Sequence, residues 1–115
     1  MSNPGLIEQQ MQEIEDELSA TIDEWENCHR ESAETERLYK QEKAVVKKKL
    51  EMDGIRATLI GDYAEGDPKV AEKRYLWQIA EGREKACKER IELLKKKHDK
   101  QRSLYSFRRA EFERS

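Results

Sequence analysis

The chain has 115 residues, enough for one domain at most, and 42% of them are charged against 36% hydrophobic. That apolar share lies below the roughly 45–50% of an ordinary globular domain, which argues against a compact core of several layers. The formal net charge is only −2, which argues against a chain that coats nucleic acid at large.

Two states fit such a composition: a disordered chain, or long helices that each bury one narrow stripe. Glu, Lys, Arg, Gln, Leu and Ala dominate the sequence, and proline occurs only at Pro4 and Pro68. Both facts favour helices. No apolar run approaches the ~20 residues of a membrane span, and the first residues lack the apolar stretch of a signal peptide. Cys28 and Cys87 have no framework spacing, so a reduced, cytoplasmic setting is expected.

The first helix is expected over about 6–53, a stretch without Gly or Pro from Leu6 to Asp53. Ser2-Asn3-Pro4 offers start chemistry, a polar cap beside a proline. A heptad can be counted along it. One register reads Met11, Leu18, Trp25, Ser32, Tyr39, Val46, and its companion reads Ile7, Ile14, Thr21, Cys28, Thr35, Glu42. Its first half is a good seam for a partner helix. Around residues 32–36 it turns polar, then resumes with Tyr39, Val46 and Leu50.

A connecting segment follows over about 54–67, punctuated by Gly54, Gly61 and Gly66. Glu65-Gly66-Asp67-Pro68 reads as a turn and a helix entry, with Asp67 as cap and Pro68 in the first turn. Ile55, Ala57, Leu59 and Ile60 are too apolar for a free linker. They either prolong the first helix or form a short helix that plugs the end of the hairpin.

The second long helix is expected over about 68–112. Its apolar positions fit eleven-residue spacings: Leu76, Cys87 and His98; Ala80 and Ile91; Leu94 and Tyr105. That period predicts a straight or slightly right-handed stripe. Leu76 then takes the stripe, and Tyr75 and Trp77 flank it.

Charge orients the two arms. Residues 1–42 hold twelve acids and three bases, and residues 43–115 hold thirteen acids and twenty bases. Glu8 through Glu26 contains eight acids and no base, whereas Lys95 through Arg109 contains seven bases and one acid. Folding back near residues 61–66 places position i opposite about 125 − i, which sets the acidic block beside the basic one. An exposed pair contributes only ~0–1 kcal/mol, but the pattern opposes a parallel alignment.

Several groups invite chemistry. Cys28, His29, Cys87 and His98 are the residue types of a zinc site. In the expected hairpin, however, Cys87 stands about 16 Å along the axis from the level of Cys28 and His98. Two small seam residues are the better reading, with no metal and no cofactor. Lys95, Lys96, Lys97, Lys100, Arg102, Arg108 and Arg109, with Tyr105 among them, are candidates for contact with phosphates and unpaired bases. The simpler reading makes them the counter-charges of the acidic block. Glu13, Glu15, Asp16 and Glu17 are candidates for mimicry of a phosphate backbone toward a partner protein. Tyr63, Tyr75 and Trp77 are the candidate aromatic anchors of a protein interface. No phosphate-binding Gly-rich loop, nucleophile elbow or HExxH is present, and two helices offer no dry, concave pocket, so no enzyme activity is expected.

The order of features from Ile55-Arg56-Ala57 to Phe112 has a further implication. Tyr63 in a turn is followed by Ala80-Glu81-Gly82-Arg83-Glu84-Lys85-Ala86 in mid-helix, then by Arg102-Ser103-Leu104-Tyr105-Ser106-Phe107-Arg108-Arg109-Ala110-Glu111. This stretch, about half of the chain, resembles the small helical proteins of bacteriophage early and recombination gene clusters. The resemblance implies no catalytic residue. It implies either an inhibitor of a host nuclease or defence complex, or an accessory DNA-binding factor in phage recombination or replication. The expectation is therefore one all-α domain, a long antiparallel two-helix hairpin assembling as a dimer or bundle, that binds a protein partner in the host cytoplasm.

Overall fold

The computed structural model describes residues 4–114. The fold is all-α, a long antiparallel helical hairpin made of α1 (Pro4–Met52), α2 (Ala57–Gly66) and α3 (Pro68–Arg114). Ser2 and Asn3, the expected start signals of α1, lie outside the described residues. No described helix is long and apolar enough to cross a membrane.

The hairpin turns at residues 53–56, not at 61–66. Gly54 has φ +80, a left-handed conformation that costs a side-chain-bearing residue about 1–2 kcal/mol. The Ile55 amide donates to the Leu50 carbonyl and the Gly54 amide to the Glu51 carbonyl, both at 3.1 Å. This pair of bonds is a Schellman motif, and it satisfies carbonyls that the helix end would otherwise leave open. Its usual apolar companions are here Leu50 and Ile55, both half-buried.

From this turn α2 runs back along α1, since Glu65 near its end reaches Tyr39 and Lys43. The expected turn at Glu65-Gly66-Asp67-Pro68 is only a one-residue break in the returning arm. Asp67 alone is extended, with φ −64 and ψ 132. Its amide donates to the Ala64 carbonyl at 3.1 Å and closes α2. Its carboxylate accepts from the amides of Lys69 at 2.9 Å and Val70 at 3.3 Å and opens α3. The cap expected of Asp67 is thus present, and Pro68 sits in the first turn where no N–H is needed.

Moving the turn moves the register. Glu15 meets His98 and His29 meets Glu84, so the residue numbers of facing pairs total 113, not 125. Contacts divide the chain into two units, to which α1 and α3 each contribute a stretch. We call residues 4–26 with 86–114 the terminal unit and residues 27–85 the turn unit.

The terminal unit closes on an aliphatic seam. Ile7, Ile14 and Thr21 of α1 and Cys87, Ile91 and Leu94 of α3 are buried. Thr21 is tolerated there because its hydroxyl donates to the Glu17 carbonyl at 2.8 Å. In the turn unit the buried residues are Ser32, Tyr39, Ala64, Val70 and Ala80. Ser32 and Ala80 stand at one level of the register, small against small. The polar stretch at 32–36 is therefore still seam.

On α3 six of the seven residues of the expected stripe are buried or half-buried, and only Leu76 is exposed, but the spacing differs from the expected one. Apart from Ala71 and Arg74, which are half-buried beside α2, the buried and half-buried positions are Val70, Lys73, Trp77, Ala80 and Glu84 in the turn unit, and Cys87, Ile91, Leu94, His98, Gln101, Tyr105 and Arg108 in the terminal unit. They recur at intervals of three and four, a heptad. Trp77 takes the seam and Leu76 is 42% exposed, the reverse of expectation.

Candidate interaction surface

In the turn unit three helices are tied through one carboxylate. Glu65 of α2 accepts hydrogen bonds from the Tyr39 hydroxyl and the Lys43 ammonium of α1, each at 2.5 Å. Arg74 of α3 donates both to this carboxylate and, at 3.0 Å, to the Glu65 main-chain carbonyl. The Lys43 hydrogen bond, followed by that of Tyr39, pulls the Glu65 carboxyl from 4.5 down to about 2. The same bond to Glu65 raises Lys43. Tyr39 also stacks on Trp77, with centroids 5.4 Å apart and planes 15° from parallel, and Lys43 lies 5.7 Å from the Tyr39 ring centre. Charged hydrogen bonds thus hold α2 against both long helices, and the aromatic stack joins α1 to α3.

Once α2 is fixed, its outer side chains and those of α3 stand clear of it. Leu59 and Tyr63, four apart on α2, are 39% and 52% exposed. Tyr75, Leu76 and Ile79 form a second exposed patch on α3, three and four residues apart. A groove of about 580 Å³ opens between the end of α1 and the start of α3, with Val45, Val46, Leu50 and Pro68 as apolar walls. Its rim is mixed in charge, with Glu42, Asp53 and Asp67 against Lys49 and Lys69. Of the expected anchors, Tyr63 and Tyr75 are exposed. Trp77 is half-buried, with its indole N–H buried and without an acceptor.

The acidic candidates lie in the terminal unit and divide in two. Glu15 contacts His98 at 2.8 Å and Glu17 pairs with Arg90 at 2.9 Å. The hydrogen bond it donates to Glu17 raises Arg90. Glu13 and Asp16 point to solvent, Asp16 accepting a hydrogen bond from Gln12 at 3.0 Å. The basic candidates answer the acidic block less than expected. Lys95, Arg102, Arg108 and Arg109 pair along their own helix with Glu92, Asp99, Glu111 and Glu113. The Glu113 bond raises Arg109. Lys96, Lys97 and Lys100 are exposed and make no ion pair with a described residue, and Tyr105 is half-buried in the seam.

Each imidazole is held by a carboxylate, His29 by Glu84 at 2.6 Å and His98 by Glu15. Cys28 is half-buried and Cys87 buried. Among the described residues no group of three or more His, Cys, Asp or Glu is placed to hold a metal ion. The Glu65 node and the α2 and α3 patches escaped the sequence reading apart from Tyr63 and Tyr75. The signal available for the patches was the leucine and isoleucine beside each tyrosine. Comparison with protein-family models, with curated proteins and with solved structures returned no match to this chain.

Proposed function

We propose that this protein is a non-enzymatic interaction module that binds and modulates another protein through the exposed side chains of its turn unit. The observation that carries the reading is the pair of exposed patches, Leu59 with Tyr63 and Tyr75 with Leu76 and Ile79, in a unit that also carries a groove of mixed polarity. Exposed aromatics flanked by aliphatic side chains are what protein interfaces use as anchors. In keeping with the phage-like order of features in its second half, the partner is a host or phage nucleic-acid-processing complex, such as a nuclease or defence complex that it inhibits. It acts in the host cytoplasm, as a homo-oligomer.

The test is capture of the partner from the native host with the wild-type chain and with a Tyr75→Ser/Leu76→Ser/Ile79→Ser variant. All three positions are exposed, so the variant keeps the fold. Loss of the partner in the variant supports the reading, and equal capture by both chains sinks it. A second reading, an accessory DNA-binding factor, is favoured by Lys96, Lys97 and Lys100, which have no ion pair within the described chain. It requires binding of single- or double-stranded DNA that weakens steeply with salt. Absence of binding at low salt removes it.

A further inference from the structure

In the terminal unit the buried seam determines which side chains remain uncovered. On α3 the row Arg90, Leu93, Lys97, Lys100, Leu104, Phe107 runs beside the seam at intervals of four and three, so it forms a continuous stripe. On α1 the row Gln10, Glu13, Glu17, Ala20, Glu24 has the same relation to its own seam. The 2.9 Å pair between Glu17 and Arg90 joins the rows and places both on one side of the hairpin. Leu93 and Phe107 are 63% and 60% exposed, and Leu104 is 37% exposed. Glu13, Lys97 and Lys100 make no ion pair with a described residue. This face therefore carries an acidic row beside a basic row studded with apolar side chains.

A face of that kind is its own complement under a two-fold rotation. We propose that a second copy of this chain docks here, α1 of each copy lying antiparallel on α3 of the other, to make a two-fold four-helix bundle of the terminal unit. The proposal deepens the homo-oligomer part of the reading above and rests on it. With the two-fold axis along the helices, the register within one chain, pairs totalling 113, carries over between copies. Glu13 then meets Lys100 of the other copy, Glu17 comes beside Lys97, and the small side chain of Ala20 leaves room for Leu93. The geometry joins exposed leucines to a self-matching charge pattern, as bundle interfaces do. The acidic row argues against the other occupants. Glu13, Glu17 and Glu24 share the face with the lysines, so a phosphate backbone or an anionic lipid surface meets repulsion along half of it. Two helices alone also bury few apolar side chains, so the terminal unit gains from a cover.

The test uses two full-length variants, Glu13→Lys and Lys100→Glu, and sedimentation of each alone and of their mixture. Each homodimer of a variant contains two like-charge contacts where the wild type has two attractive ones. Its dissociation constant is expected to rise at least about tenfold. In the mixture one chain of each kind pairs with opposite charges at both contacts, and dimerisation is expected to recover to near the wild-type value. Leu93→Glu, at an exposed position, is expected to give a monomer of unchanged helix content. A wild-type chain that sediments as a monomer overturns the oligomer reading and the proposal together. A wild-type dimer that none of the variants weakens overturns this surface alone, as does a mixture that stays as weak as its components.

Discussion

The two units of this protein solve the same problem with different chemistry. The terminal unit is held by an aliphatic seam, with Ile7 and Ile14 buried on α1 and Ile91 and Leu94 on α3, and its ion pairs lie outside at the solvent. The turn unit mixes small, aromatic and aliphatic residues in its seam, among them Ser32, Tyr39, Val70 and Ala80, and a carboxylate, two cations and a phenol knit its three helices. Aliphatic burial is non-directional and tolerates exchange among residues of like volume, whereas the Glu65 node works only with its partners in place. One half should respond to volume and the other to charge.

The largest effect that separates them is expected from truncation in the aliphatic seam. Leu94→Ala removes a side chain that is 4% exposed and should cost about 2–4 kcal/mol in urea unfolding. Amide exchange should rise first among residues 4–26 and 86–114. Opening confined to the turn unit would erase the distinction between the two seams.

Glu65→Ala strands Lys43 and Arg74 without their shared anion and should cost about 1–2 kcal/mol, with exchange rising in α2. The same group makes the turn unit sensitive to acid. Folding lowers the Glu65 carboxyl from 4.5 to about 2, so its contribution is complete above pH 4.5 and is lost as pH falls toward 2. Such a shift corresponds to ~3 kcal/mol, reduced here to about 1–2 because 32% of the side chain stays exposed. The wild type should therefore lose that much more than Glu65→Ala between pH 6 and pH 2.5. Equal losses would mean that the node adds nothing to stability.

Gly54→Ala forces a methyl-bearing residue into φ +80 and should cost about 1 kcal/mol, with no change in helix content. The smallest effect is expected at the exposed pair of the terminal unit. Arg90→Ala should leave the urea midpoint of the monomer where it was, since both side chains are about half exposed. A clear loss there would show that charge matters to this unit as well.

How much of this could be read in the sequence differs between the arms. On α1 the heptad from Ile7 to Val46 names the seam: each position in its two registers is buried or half-buried. Even Ser32 belongs, because its level of the seam has only Ala80 to receive. On α3 the heptad is masked, since Lys73, Glu84, His98, Gln101 and Arg108 hold seam positions with long stems or pairs to the facing helix. Leu76, counted into the eleven-residue stripe, lies outside the seam, as do Leu93 and Leu104. The turn lies away from the expected site for a related reason. Glu65-Gly66-Asp67-Pro68 is the stronger punctuation, yet Asp67 caps both neighbouring helices and so breaks the arm at one residue only. Asp53-Gly54-Ile55-Arg56 has a single glycine, but that glycine is the one with positive φ. A glutamate in an expected turn reads as solvated, which hid the node.

The position of the Gly54 turn also sets the order in which the chain can close. Tyr39 and Glu65 are 26 residues apart along the chain, whereas Glu15 and His98 are 83 apart. Closing the longer span unaided costs about 1 kcal/mol more in chain entropy, and much less once the nearer contacts have shortened the open loop. Folding is thus expected to start at the turn and proceed toward the chain ends, with α2 and its node formed in the transition state and the aliphatic seam completed later. Substitutions at Glu65 would then slow folding, and those at Ile7 or Leu94 would mainly speed unfolding.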